Sequence, residues 1–180
     1  MIYITSDLHF CHERDFIYKP RGYRTVNGMN KGIIKNWNSI ITDEDEVYLL
    51  GDIMLNNNEE GLKYFKKLKG KIHIILGNHD TINRKDLFLS LDNVVSVEYA
   101  TIIKYKKWHF YLSHYPTITT NQKKTKKSLT LWNLCGHYHT KDKFDDMKRG
   151  WPCYHVELDA HNNKPVSIEE IIEDIKSFDI

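Results

Sequence analysis

The feature that most constrains this 180-residue chain is a repeated one: an apolar, β-prone run that stops at a short polar motif. Ile2–Thr5 runs into Ser6-Asp7-Leu8-His9, Val47-Tyr48-Leu49-Leu50 into Gly51-Asp52, and Ile72-His73-Ile74-Ile75-Leu76 into Gly77-Asn78-His79-Asp80. Residues 108–112 lead to Ser113-His114, and residues 131–135 to Gly136-His137-Tyr138-His139. The first three runs, apolar without alternation, read as strands buried on both faces. In an open α/β sheet, ligands bind beyond the carboxyl ends of the strands, so polar residues far apart in sequence are expected to converge there.

Helical patterns separate the early strands. From Met29 an apolar stripe continues through Ile33, Ile34, Trp37, Ile40 and Ile41, the spacing of a helix with one buried face. Glu59-Glu60 open a second helix, with Leu62, Phe65 and Leu68 on one side and Gly70 as its stop; acid early and lysine late suits the helix dipole. Ser167-Ile168-Glu169-Glu170 forms a capping box for a third, with an isoleucine face. Residues 94–98, 101–105 and 108–113 read as neighbouring strands joined by tight turns, followed by strands at 131–135 and 153–158. A β-α-β-α-β half and a mostly β half predict one α/β domain over residues 1–180, a two-sheet β-sandwich flanked by helices.

The composition limits function more than it suggests it. Hydrophobic residues make up 41% and charged residues 28%, an ordinary soluble balance, and no run approaches the ~20 apolar residues of a membrane helix. The first residues lack the pattern of a signal peptide. Cys11, Cys135 and Cys153 are too scattered for a disulfide framework or a Cys-x-x-Cys zinc site, so a reduced, cytoplasmic setting is expected. A net charge of +2 gives no argument for nucleic acid. The outlying number is ten histidines, because neutral imidazole is the commonest metal ligand and a general acid near neutral pH.

Carboxylate, imidazole and amide oxygen together suit Mn, Fe, Co, Ni or Zn better than Mg or Ca. A carboxylate can bridge two ions, and two ions ~3.5–4 Å apart can clamp a phosphoryl group. Singly the motifs are weak; as an ordered series, each piece at a strand end, they are strong.

The series D-x-H, G-D, G-N-H-D, H and G-H-x-H, from Asp7 to His139, resembles the calcineurin-like metallophosphoesterase superfamily. The flanks Asp7-Leu8-His9-Phe10-Cys11-His12, Trp37-Asn38, Leu112-Ser113-His114-Tyr115-Pro116 and Asp159-Ala160-His161-Asn162 resemble its small bacterial and phage members. The resemblance implies two divalent ions. Asp7, His9 and His139 would hold the first, Asn78, His114 and His137 the second, and Asp52 would bridge them. It implies that His79 protonates the leaving oxygen, that Asp80 orients His79, and that a hydroxide bridging the metals attacks phosphorus. Every ligand position is filled, which argues against a metal-free binding module on the same fold.

The expected activity is therefore hydrolysis of phosphoric esters, with a phosphodiesterase acting on a nucleotide or a nucleic-acid end favoured. A phosphomonoesterase or protein serine/threonine phosphatase is the rival within the enzyme class, and a nuclease subunit needing a partner chain is a third reading. His12 stands evenly between substrate contact and plain loop residue. Arg21 and Arg24 could meet a phosphate, against the commoner fate of a solvated loop. His73, His109, His155 and His161 are expected to be structural. Lys123, Lys124, Lys126 and Lys127 would form either a basic flap over the site or a solvated run, the latter favoured.

Overall fold

The computed structural model describes residues 1–119, 127–146 and 151–178. Its first sheet has the order β4-β3-β2-β1-β9, from β1 (Ile2–Thr5), β2 (Glu46–Leu49), β3 (Lys71–Ile75), β4 (Val94–Glu98) and β9 (Val166–Ser167). β1 to β4 run parallel, and β9 closes the edge antiparallel to β1. The second sheet has the order β5-β6-β7-β8, from β5 (Ala100–Tyr105), β6 (Trp108–Ser113), β7 (Leu131–Cys135) and β8 (Cys153–His155). β5 and β6 form an antiparallel pair; β6, β7 and β8 are parallel. The helices are α1 (Asp15–Tyr18), α2 (Val26–Asn38), α3 (Asn58–Phe65), α4 (Ile82–Leu89) and α5 (Ile168–Ser177). No helix among the described residues is long and apolar enough to cross a membrane.

Strand alternation divides the interior into two cores. Val47, Leu49, Ile72 and Ile74 face one way, into a cluster with Ile33 and Trp37 of α2, Phe65 of α3 and Phe88 of α4. Ile4, Leu50 and Ile75 face the other way, against Phe110, Trp132 and Tyr154 of the second sheet and the isoleucines of α5. This period of two explains why the early strands read as apolar throughout: both faces are covered. Trp37 is fully buried, and truncating an aromatic of that kind to alanine costs ~3–5 kcal/mol. The capping box forms: Ser167 Oγ accepts from Glu170 N, and Glu170 returns a carboxylate oxygen to Ser167 N.

Two expectations are corrected. β4 is not the hairpin neighbour of β5. It pairs in parallel with β3, and the chain passes to the second sheet at Tyr99. The reason is α4, which the sequence reading missed; a helix of that length supplies the crossover a parallel neighbour needs. The stripe through Ile41 also overstates α2, which ends at Asn38. There the indole N–H of Trp37 donates to the Lys69 carbonyl (2.9 Å), and the Asn38 amide bonds Lys67 O and Lys69 N, tying the helix end to the turn before β3.

Past the strand ends, pairing continues into the motifs. Asp7 N donates to Gly51 O and His9 N to Asp52 O, each at 2.9 Å. Ser6 pairs with Glu157 beyond β8, and Gly136 N donates to His114 O at 3.0 Å. The carboxyl ends of both sheets therefore meet at one edge of the sandwich.

Candidate metal centre

The loops at this edge are strained in a telling pattern. Asp7, His9, Asp52, His137 and His139 all have positive φ, between 51° and 77°. Each such non-glycine residue costs roughly 1–2 kcal/mol, and such strain persists where the surrounding structure over-determines it, commonly at functional sites. The glycines make room for the carboxylates. A Cβ at Gly136 would overlap Ser6 Oγ and Asp7 Oδ2, and one at Gly77 would overlap Asp52 Oδ1.

The side chains gather into two groups, Asp7 with His9 and His139, and Asp52 with His114 and His137; in each, one donor atom per residue lies within 4.8 Å of the others. In the first, His9 Nε2 lies 3.5 Å and His139 Nε2 3.7 Å from Asp7 Oδ1, and the two imidazole nitrogens are 3.1 Å apart. In the second, His114 Nε2 lies 2.9 Å from Asn78 Oδ1 and 3.6 Å from Asp52 Oδ1. Asp52 faces both, since its other oxygen, Oδ2, lies 3.7 Å from His9 Nε2.

These residues fit a pair of cations. Asp7 Oδ1 is buried without a hydrogen-bond partner, a costly arrangement for a carboxylate oxygen unless something cationic meets it. Its sister Oδ2 is committed, accepting from Ser6 Oγ (2.6 Å) and His137 N (3.0 Å), so Oδ1 alone is left toward the imidazoles. His114 Nδ1 lies 2.8 Å from the Leu50 carbonyl, which makes it the protonated nitrogen and leaves Nε2 with its lone pair. Burial holds His9 at about 3, with Asp7 only partly offsetting it, and burial also lowers His137, so both are neutral imidazoles near pH 7. Burial pushes the Asp7 carboxyl up, but the hydrogen bond and charge of His9, with the nearby histidines, more than reverse this.

All nine residues expected as ligands or as the acid and its partner lie at this edge, though Asp80 does not take the expected part. His79 projects into the cleft, its side chain 43% exposed and Nε2 3.9 Å from Asp52 Oδ2. Asp80 does not orient it: the Asp80 oxygens accept from the backbone N–H groups of Asp52 (2.7 Å), Gly77 (3.0 Å) and Ile53 (3.3 Å). Asp80 thus ties the loop after β2 to the loop after β3, and His79 is held through its backbone, donating to Asp52 Oδ1 (2.9 Å) and accepting from Arg84 (2.8 Å). Arg21 is neither solvated nor free for substrate; its side chain is 1% exposed and its donors are spent on Asp159 and on the carbonyls of Asp7 and Leu8. Arg24 is exposed.

His12 borders the cleft, with Nδ1 3.1 Å from His9 Nδ1. His155 is buried between Asp146 and Glu157, and His161 meets the His155 carbonyl at 2.9 Å. Lys123, Lys124 and Lys126 lie outside the described residues; Lys127 bonds the carbonyls of Lys176 and Phe178. The reading missed three contributors: Asp159, whose Oδ2 lies 3.1 Å from His139 Nδ1, Arg84, and Phe16, a 70% exposed ring beside the cleft. The cleft, about 360 Å³, is bordered by Phe16, His12, His79, Asn78 and His137.

The chain is similar to several known proteins. The model of the calcineurin-like phosphoesterase superfamily domain matches residues 1–151. An uncharacterized protein of Methanocaldococcus jannaschii is 32% identical, over 96% of this chain and 89% of its own. A protein of unknown function from Aquifex aeolicus has a solved structure that superposes with a TM-score of 0.72 at 25% identity, covering 96% of this chain and 98% of that one. Yfce, a phosphoesterase from E. coli, shares the fold at a TM-score of 0.50 and 14% identity, over 87% and 77% of the two chains.

Proposed function

Because the chain belongs to the calcineurin-like phosphoesterase superfamily, we propose that it hydrolyses phosphoric esters with two divalent metal ions and favours nucleotide-type phosphodiesters. The observation that carries this reading is the shared carboxylate: Asp52 turns one oxygen toward each of two histidine groups, while the buried Asp7 Oδ1 has no partner of its own. Asp7, His9 and His139 would hold one ion, Asn78, His114 and His137 the other, and Asp52 both. Manganese, iron, cobalt, nickel and zinc suit this mixed donor set. When bound, the pair would supply a hydroxide nucleophile near neutral pH and offset charge on the phosphoryl oxygens.

The chain's own residues supply the rest. The His79 imidazole, exposed to the cleft and fixed at its backbone, hands a proton to the leaving oxygen. Asp80 keeps the loops carrying Asp52 and Asn78 in register through three backbone N–H groups. His12 lines the approach, held neutral by burial and its cationic neighbours at about 4, so it offers substrate a hydrogen bond rather than a charge. The support for a nucleotide is Phe16: its exposed ring, against His12, borders the cleft, and aromatic faces stack any base.

The test is a substrate panel on protein stripped with chelator and reloaded with Mn, Co, Ni or Zn. Aryl mono- and diesters are compared with cyclic and linear nucleotides. Metal-dependent turnover highest on nucleotide diesters is expected. Higher turnover on monoesters would replace the diesterase reading, and no hydrolysis with any of these ions would return the fold to a binding role.

A further inference from the structure

Behind His139, away from the cleft, lies a buried ion pair that the chemistry above does not use. Arg21 follows α1 and Asp159 sits in the turn after β8, yet their side chains are 1% and 7% exposed. The guanidinium grips the carboxylate with two donors, Nε to Oδ1 at 3.1 Å and Nη2 to Oδ2 at 2.7 Å. Nη2 also reaches the carbonyl of Asp7 at 2.8 Å, and Nη1 that of Leu8 at 3.3 Å. Asp159 Oδ2 then meets His139 Nδ1 at 3.1 Å. Arg21 Nη2 lies 3.4 Å from that nitrogen as well, but a guanidinium only donates, so the Nδ1 proton belongs to Asp159.

We propose that Arg21 and Asp159 form a positioning clamp for His139, fixing which imidazole nitrogen faces the first metal and where it sits. The proposal rests on the two-metal reading. Three physical points carry it. A carboxylate on Nδ1 leaves Nε2 deprotonated and more basic, the form a metal needs. Nε2 is the atom turned toward Asp7 Oδ1 and His9. A guanidinium buried near two cations would weaken their binding unless its charge were cancelled and its donors filled. Asp159 cancels it, and the backbone of Asp7, itself a candidate ligand, fills it. The same pair, its members 138 residues apart in sequence, therefore locks the ring of one ligand to the main chain of another.

The second group has a different support, a main-chain carbonyl on His114, so a lesion in the clamp should separate the two ions. The experiment is calorimetric titration of metal-free protein with Mn²⁺, together with thermal melting of the metal-free form. Wild type should take up two equivalents. Asp159→Asn should keep one equivalent at unchanged affinity and weaken the other ~10–100-fold, the usual effect of losing the partner behind a ligand. Arg21→Lys, which keeps the charge but not the fork, should weaken the same equivalent to a smaller degree, with melting within a few degrees of wild type. Equal weakening of both equivalents together with a lower melting temperature would make the pair merely structural and overturn the clamp. So would two unchanged equivalents in Asp159→Asn. Wild-type protein that binds no Mn²⁺ would sink the two-metal reading itself.

Discussion

The two histidine groups draw on the same residue types but sit in different surroundings. Asp7 and His9 are 0% and 1% exposed, and His139 is backed by a carboxylate that a guanidinium in turn holds. In the other group Asn78 is exposed and His137 half-buried, and His114 is backed by a main-chain carbonyl. Each pairs two buried side chains with one half-buried histidine, His139 or His137; the first is braced by charge, and the second adds an exposed neutral amide as a donor. The first is held in a fixed position by that brace; on the proposed reading, the exposed Asn78 gives the second a face for an incoming phosphoryl oxygen. Asp52 turns one oxygen toward each.

That shared residue offers the most severe way to break the comparison. Asp52→Asn removes one charge from both groups at once, so both Mn²⁺ equivalents should weaken and kcat/KM should fall on the order of 10⁴-fold, or ~5 kcal/mol. Titration beside a diesterase assay reads both. Loss of a single equivalent would show that the carboxylate serves one group alone. The next effect should fall on neither group. His79→Ala should keep both equivalents and lose ~10²–10⁴-fold in kcat, the range for a lost general acid, with a smaller loss on esters whose leaving group departs without a proton. Full activity on poor leaving groups would end the assigned role.

Much of this was legible because strand ends mark themselves. An apolar run that stops at Gly-Asp or Gly-His fixes both an element and the place where its chemistry sits, so Asp52 and His137 could be put at the same edge without coordinates. Asp80 is opaque in the sequence because its partners are backbone N–H groups, which carry no side-chain signature, and not its neighbour His79. Arg21 and Asp159 were opaque for a related reason. An ion pair separated by 138 residues leaves no periodicity, and an arginine in a polar loop looks the same whether it is solvated or buried. The place of β4 beside β3 is hidden in the sequence because α4 has a weak apolar face, with only Arg84 and Phe88 buried.

The mildest probe uses the two glycines on which the carboxylates rest. Neither Gly77 nor Gly136 has positive φ, unlike Gly51 at 83°, so alanine is conformationally allowed at both and acts through its methyl group alone. Gly136→Ala presses on Ser6 and Asp7 Oδ2, Gly77→Ala on Asp52. Crowding of this kind costs roughly 1–3 kcal/mol, and both variants should melt several degrees lower than wild type. Their metal titrations should differ. Displacing Asp7 weakens the equivalent that His139 also holds and spares the other, whereas displacing Asp52 weakens both. If Gly136→Ala also weakened both equally, the two groups would be mechanically one unit, joined through the His137 N–H that donates to Asp7 Oδ2 at 3.0 Å, and the contrast between them would reduce to the exposed Asn78 of the second.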